Sequence, residues 1–160
     1  MPGSPLPAGH VSLSHTARHV AAALAPHPVG VDLCETGSAA AVLRVADRVL
    51  SPGERSLVGT DRPDALAGAW ALKEAAVKAD RSSVFGAAPR RIAILGLHPP
   101  VLGGRRRAMV WRTDGAVLAL VLAYPAAPPG LPAGRAALSP GPAAREPPWR
   151  HCVGAPCPAG

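Results

Sequence analysis

From Trp70 to Lys78 the chain reads WALKEAAVK, a run of strong helix formers with no Gly or Pro among them. That run commits the surrounding segment, from about Pro63 to Ala79, to a helix. Leu66, Trp70, Glu74 and Lys78 are four apart, so they stack in one slowly drifting stripe. A carboxylate and an amine thus emerge beside the aromatic that anchors the helix. Taken alone, Glu74 and Lys78 read as a solvated i,i+4 ion pair contributing about 0.3 kcal/mol. What the rest of the chain offers them decides whether they do more.

The 160 residues suffice for one domain, and both ends are rich in Pro, Gly and Ala. We divide the chain into a flexible N-terminus over 1–10, a folded domain over 11–124, and a disordered tail over 125–160. The tail holds half of the chain's prolines and almost no aliphatic pattern, too little apolar surface to offset its ordering entropy. A net charge of +7 and a pI near 10.6 favour acidic partners: nucleic acid, a phosphorylated cofactor or an acidic protein. Scarce aromatics, at 3%, and the lack of a helix-turn-helix or finger pattern argue against nucleic acid. No segment has the length to span a bilayer and MPGSPLPAGH has no signal-peptide character, so the expectation is a cytoplasmic protein with no membrane partner. The spacing of Cys34, Cys152 and Cys157 matches no zinc site, and the last two read as unpaired thiols in the tail.

In chain order, Val11 to Thr16 alternates as a short strand would. The run HVAAAL that follows fits a strand or a short helix. His15 reads either as a hydrogen-bonded structural histidine or, beside Ser14 and Thr16, as an anion contact. Pro28 to Leu33 is an apolar strand containing Asp32, a carboxylate costly to bury unless a cation or several donors compensate it. Asp32 could alternatively cap the next helix. Apolar spacing predicts a helix over 38–50. Ser51-Pro52-Gly53-Glu54 starts another, with Ser51 as N-cap and Glu54 closing a capping box. Thr60 to Asp64 is a further cap region, and 81–91 reads as a polar loop. Strands are expected over 91–97, 107–113 and 116–123, the last two joined by a tight turn at Asp114-Gly115. Arg105, Arg106 and Arg107 read as a solvated edge that discourages mispairing, or as a phosphate or acidic-protein contact.

SLSHT, then GVDLCE, then the helix carrying WALKEAAVK resemble, in that order, the 4'-phosphopantetheinyl transferase superfamily. The order is that of its larger, surfactin-synthetase-activating type, whose later half these motifs match from about Val11 to Ala123. The SPGE spacer and the WRTDGAVLALVLA hairpin are similar too. The resemblance implies magnesium-dependent transfer of the phosphopantetheine arm of coenzyme A to a serine of an acyl or peptidyl carrier protein. It implies Asp32 and Glu74 as magnesium ligands, with Glu74 also taking the serine proton and Lys78 stabilising or protonating the leaving phosphate. Lys73, Lys78, His15 and its neighbour Ser14 are implied as contacts to coenzyme A. Where larger members place a second acid two positions after the Asp, this chain has Cys34, a soft and poor partner for magnesium. Glu35, one position on, matches the short synthases and is the implied further ligand. A strand continuing past Leu33 would turn Glu35 away from Asp32, whereas a helical turn would bring it closer.

The implied fold is α+β: an antiparallel sheet with two main helices packed on one face. The implied partners are an acidic carrier protein and, since no counterpart of the family's earlier half precedes SLSHT, a second copy completing the site. The alternative is a truncated, noncatalytic homologue that binds acidic carrier domains through its basic surface.

Overall fold

The computed structural model describes residues 9–59, 61–81, 88–113 and 115–124. The expectations for residues 1–8, Thr60, 82–87, Asp114 and the tail from 125 lie outside that range. Hairpin strands β1 (His10–His15) and β2 (Val20–Ala25) lead into β3 (Val29–Glu35). A short 3-10 turn and helices α1 (Ala39–Val49), α2 (Pro52–Val58) and α3 (Pro63–Ala79) follow. The short α4 (Ala88–Arg91) precedes strands β4 (Ile94–Leu97), β5 (Pro100–Leu102), β6 (Arg106–Thr113) and β7 (Ala116–Ala123). This is the expected α+β architecture, its antiparallel part divided into a three-stranded sheet ordered β3-β7-β6 and two separate hairpins, β1-β2 and β4-β5.

α3 spans the residues predicted for it. Pro63 fits its first turn, where a missing N–H costs nothing. Most of its length is buried, including Ala67, Ala69, Ala71, Leu72, Ala75, Ala76 and Val77. Each fully buried Leu or Val contributes about 1.5–3 kcal/mol, and the alanines let the helix approach the sheet closely. The closest approach is at Gly30 of β3, where an added Cβ would run into the Ala75 carbonyl and the Ala79 nitrogen. Side chains alternate along a strand, so Gly30, Asp32 and Cys34 face α3. Their ladder partners Val121, Ala119 and Val117 on β7 share that face. α1 packs against α3 through the apolar stripe of Val42, Ala46 and Val49.

α2 opens with the anticipated capping box, Ser51 Oγ accepting from Glu54 N and Glu54 accepting from Ser51 N. The region before α3 differs from expectation: its N-cap is Arg62, with no side-chain cap bond. The polar loop contains α4, and β4 starts only at Ile94, its hairpin with β5 having given no clear sequence signal. Gly115 has φ +75, the left-handed turn conformation predicted between β6 and β7. Within the arginine run, Arg106 is not merely solvated: it holds Asp80 with two hydrogen bonds, of 3.2 and 2.5 Å.

The β1-β2 hairpin joins the rest in an unusual way. β1 runs parallel to β3 without a backbone ladder between them, and serine hydroxyls stand in for one. Ser12 Oγ accepts from Val31 N at 3.0 Å and Ser14 Oγ from Leu33 N at 3.1 Å. HVAAAL thus falls, from Val20 on, within a strand, one of the two readings its sequence allowed.

Candidate functional site

Asp32 sits midway along β3, on the face covered by α3, and is buried. Lys78, in the last turn of α3, places its ammonium 2.7 Å from Asp32 Oδ1 and also donates to the carbonyls of Val31 (3.0 Å) and Leu13 (3.3 Å). Ser14 donates to the same carboxylate oxygen at 3.0 Å. One turn before Lys78, half-buried Glu74 lies close enough to both groups to feel their charges. The exposed i,i+4 pair that sequence alone allowed is therefore replaced by a pairing of Lys78 across to the sheet.

Burial lifts the Asp32 carboxyl above its usual value, and the hydrogen bonds from Lys78 and Ser14 only partly oppose this. Burial likewise raises Glu74; the Asp32 charge adds to the rise and Lys78 opposes it. Cys34 is a buried free thiol. Burial, then the charges of Asp32 and Glu35, push it up to about 11, so it stays protonated at neutral pH and is a poor magnesium ligand.

The remaining predicted residues are placed as follows. β3 continues through Glu35, so the alternation turns Glu35 away from Asp32. Its Oε1 is buried without a hydrogen-bond partner, Arg18 Nε standing 3.8 Å off. His15 is exposed and projects to the opposite side of β1 from Ser14. Lys73 departs from expectation. Its side chain is wholly buried, donating to Glu54 Oε1 at 2.7 Å and to the Ile92 carbonyl, so its amine is committed to the core and not offered to a phosphate. Glu54 accepts from Ile94 N at 2.6 Å as well, which makes it the centre of a buried network; its sequence context showed only the cap.

A cavity of about 520 Å³ is lined by Leu33, Cys34, Glu35, Val42, Val45 and Trp70 among others, which include sequence neighbours of Asp32 and Glu74 but not those residues themselves. Its walls are largely apolar, and the unpartnered Glu35 oxygen belongs to one of its lining residues. Sequence reasoning gave Trp70 only an anchoring role and did not see this cavity.

Among the described residues no group of three His, Cys, Asp or Glu side chains could hold a metal ion. Asp32 and Glu74 nevertheless offer carboxylate oxygens only, and the Lys78 ammonium pairs with Asp32. Magnesium is usually bound by one or two carboxylates, with water and substrate phosphate filling the other positions. The donor set therefore fits an ion completed by substrate, not one caged by protein.

The family model described as ACPS, 4'-phosphopantetheinyl transferase superfamily, matches residues 28–97, a span that includes Asp32, Glu35, Lys73, Glu74 and Lys78. No curated protein matches the sequence. Among solved structures, the chain is similar to Helicobacter pylori holo-[acyl-carrier-protein] synthase in complex with coenzyme A. The TM-score is 0.52 and the identity 23%, over 59% of this chain and 97% of that one. It is also similar to a Bacillus anthracis holo-(acyl-carrier-protein) synthase, with a TM-score of 0.47 and 20% identity, over 59% of this chain and 93% of that one. The first likeness speaks to the fold. By its family match over residues 28–97 and by its fold, the chain resembles the 4'-phosphopantetheinyl transferase superfamily, as the order of its motifs implied.

Proposed function

We propose that the protein transfers the 4'-phosphopantetheine group of coenzyme A to a serine of an acyl or peptidyl carrier protein, with magnesium. The observation that carries this reading is the pairing of Asp32 on β3 with Lys78 on α3, one turn beyond Glu74, whose carboxyl responds to both charges. The family match over the same residues supports it. Asp32 and Glu74 would hold the magnesium ion, which when bound neutralises pyrophosphate charge and polarises the phosphorus under attack.

The chain's own groups have separable tasks. Ser14 and Lys78 fix the Asp32 carboxylate in one orientation, which preorganises it at no cost during reaction. Lys78 would set its ammonium against the charge that develops on the leaving phosphate oxygen. Glu74, whose proton affinity burial has raised, is suited to accept the proton of the attacking serine. The apolar cavity by Trp70 and Cys34 gives the pantetheine arm a dry surface, with the Glu35 oxygen placed to accept from one of its amide N–H groups. Exposed basic side chains such as Arg105 and Arg107 suit an acidic carrier. A cytoplasmic setting goes with this reading.

The test is incubation of the purified protein with coenzyme A, magnesium and a panel of apo carrier proteins, followed by intact mass spectrometry. The expected result is a phosphopantetheine adduct on at least one carrier, formed about 10²–10⁴-fold more slowly by Glu74→Gln. No adduct on any carrier, or equal rates for the variant, would overturn the reading. The noncatalytic alternative predicts carrier binding without adduct, weakened more by Arg105 and Arg107 substitutions than by Glu74→Gln.

A further inference from the structure

Lys73 and Glu54 are buried charges that the transfer reading does not use. Among the described residues Lys73 is the largest fully enclosed side chain, its ammonium donating to Glu54 Oε1 at 2.7 Å and to the Ile92 carbonyl. Glu54 is fixed in turn by Ser51 N at 2.7 Å and Ile94 N at 2.6 Å. One carboxylate therefore ties the middle of α3 to the start of α2 and the start of β4. Taking both charges out of water is costly, and apolar side chains of the same volume would hold these elements together as well. What an ion pair adds over an apolar contact is direction.

α3 is short of direction from other sources. Seven of its 17 residues are alanine, and buried residues follow one another without a break from Ala65 to Ala69 and from Ala75 to Val77. Apolar surface thus surrounds the helix instead of marking one face, and burial alone does not set which way it turns. Its small side chains also form shallow ridges that interlock weakly with a neighbour. Gly30 sets how close α3 comes to the sheet, meeting it at Ala75. Lys73 lies nearly opposite Ala75 round the helix, two residues being about 200°. The sheet therefore holds α3 from one side and Glu54 from the other. Turning the helix about 20° on its axis would carry a side-chain tip about 2 Å, since helix and side chains together are about 10–12 Å across. That is enough to break the 2.7 Å contact of Lys78 with Asp32.

From this arrangement we infer that Lys73, held by Glu54, is a positioning residue: it fixes the rotation of α3 and so presents Glu74 and Lys78 to Asp32. This role rests on the transfer reading only for its bearing on catalysis. It acts from behind the helix, because none of the hydrogen-bond partners of Glu54 is Asp32, Glu74 or Lys78.

Lys73 and Lys78 are the two lysines of the chain, so amine labelling reads both directly. The full chain is reductively methylated under native conditions, and each lysine is followed by peptide mass spectrometry. Lys78 is held by hydrogen bonds to Asp32, Val31 and Leu13. Glu54→Gln, checked by circular dichroism to be folded, is expected to free it and speed its labelling about tenfold, with a smaller rise at the enclosed Lys73. Loosening of the whole fold would instead raise Lys73 at least as much as Lys78. That outcome, or a folded variant with Lys78 at the wild-type rate, overturns the inference. Should Glu54→Gln fail to fold, the neutral pair Lys73→Met with Glu54→Gln takes its place, with the same expectation for Lys78 and global opening read from urea unfolding. If neither folds, the pair serves stability alone and the inference falls. Where transfer is observed, Glu54→Gln should lower kcat about 10²-fold with KM for coenzyme A nearly unchanged, the mark of a misplaced reacting group. Labelling needs no turnover: a freed Lys78 without any adduct sustains the positioning role while sinking the transfer reading, and adduct formation with Lys78 unmoved does the reverse.

Discussion

Lys73 and Lys78 stand five residues apart on one helix and end in opposite circumstances. Lys73 is enclosed with Glu54 and the Ile92 carbonyl, whereas Lys78 reaches the half-open seam beside Asp32. Burial opposes ionisation of Glu54, but the hydrogen bonds from Lys73, Ile94 N and Ser51 N outweigh it and hold its carboxyl below the usual range. Removing one partner of such a pair strands the other: Lys73→Met is expected to cost about 3–5 kcal/mol in urea unfolding. Glu74 has the opposite sign. Its raised proton affinity means that the ionised form disfavours the fold. Its stabilising contribution is complete below the ordinary Glu value of about 4.3 and is lost as pH rises through the raised folded value. Glu74→Gln should therefore match wild type in thermal midpoint at low pH and exceed it at pH 7 in the absence of metal. If magnesium binds here, adding it at pH 7 should raise the wild-type midpoint and leave the variant's unchanged. Sequence singled out Asp32 because a carboxylate in an apolar strand demands a compensating cation. It could not name Lys78 as that cation, nor Glu54 as the partner of Lys73, because each pairing spans tertiary distance.

Between elements, the contact of α3 with β3 fixes the site, and Gly30 sets how near the two can come. Gly30→Ala is expected to force the helix off the strand, costing about 1–3 kcal/mol or more by denaturant unfolding. It should also slow any transfer reaction, since Asp32 and Lys78 would separate. Ser51→Ala removes one half of the α2 capping box and should cost about 1 kcal/mol. That box and the limits of α3 were legible because both are local: a cap is written in four residues and a helix in its own propensities. β4 lies within the strand expected over 91–97, but its partner β5 and the helix α4 were not legible, because their short segments carry no period and α4 is held by contacts to α3. Glu35 was left open by sequence because the answer depended on how far β3 continues, which its pairing with Ala116 of β7 decides.

At the scale of the whole molecule, the core described here closes within residues 9–124. A chain ended after Tyr124 is therefore expected to unfold cooperatively with a thermal midpoint within a few degrees of the full chain, as about 1 kcal/mol corresponds to about 4–8 °C for a domain of this size. A larger loss by calorimetry would give the tail a structural task. The fold class and the order of the motifs were readable from periodicity and resemblance, whereas the attachment of the β1-β2 hairpin to β3 was not, because alternation marks two faces without saying which is covered. Two serine hydroxyls, rather than a strand ladder, join that hairpin to β3. Solvent deuterium should accordingly enter the Val31 and Leu33 amides whenever the hairpin lifts, while the neighbouring amides bonded to β7 stay protected. Those two exchange rates form a built-in gauge of how often the wall beside Asp32 stands open.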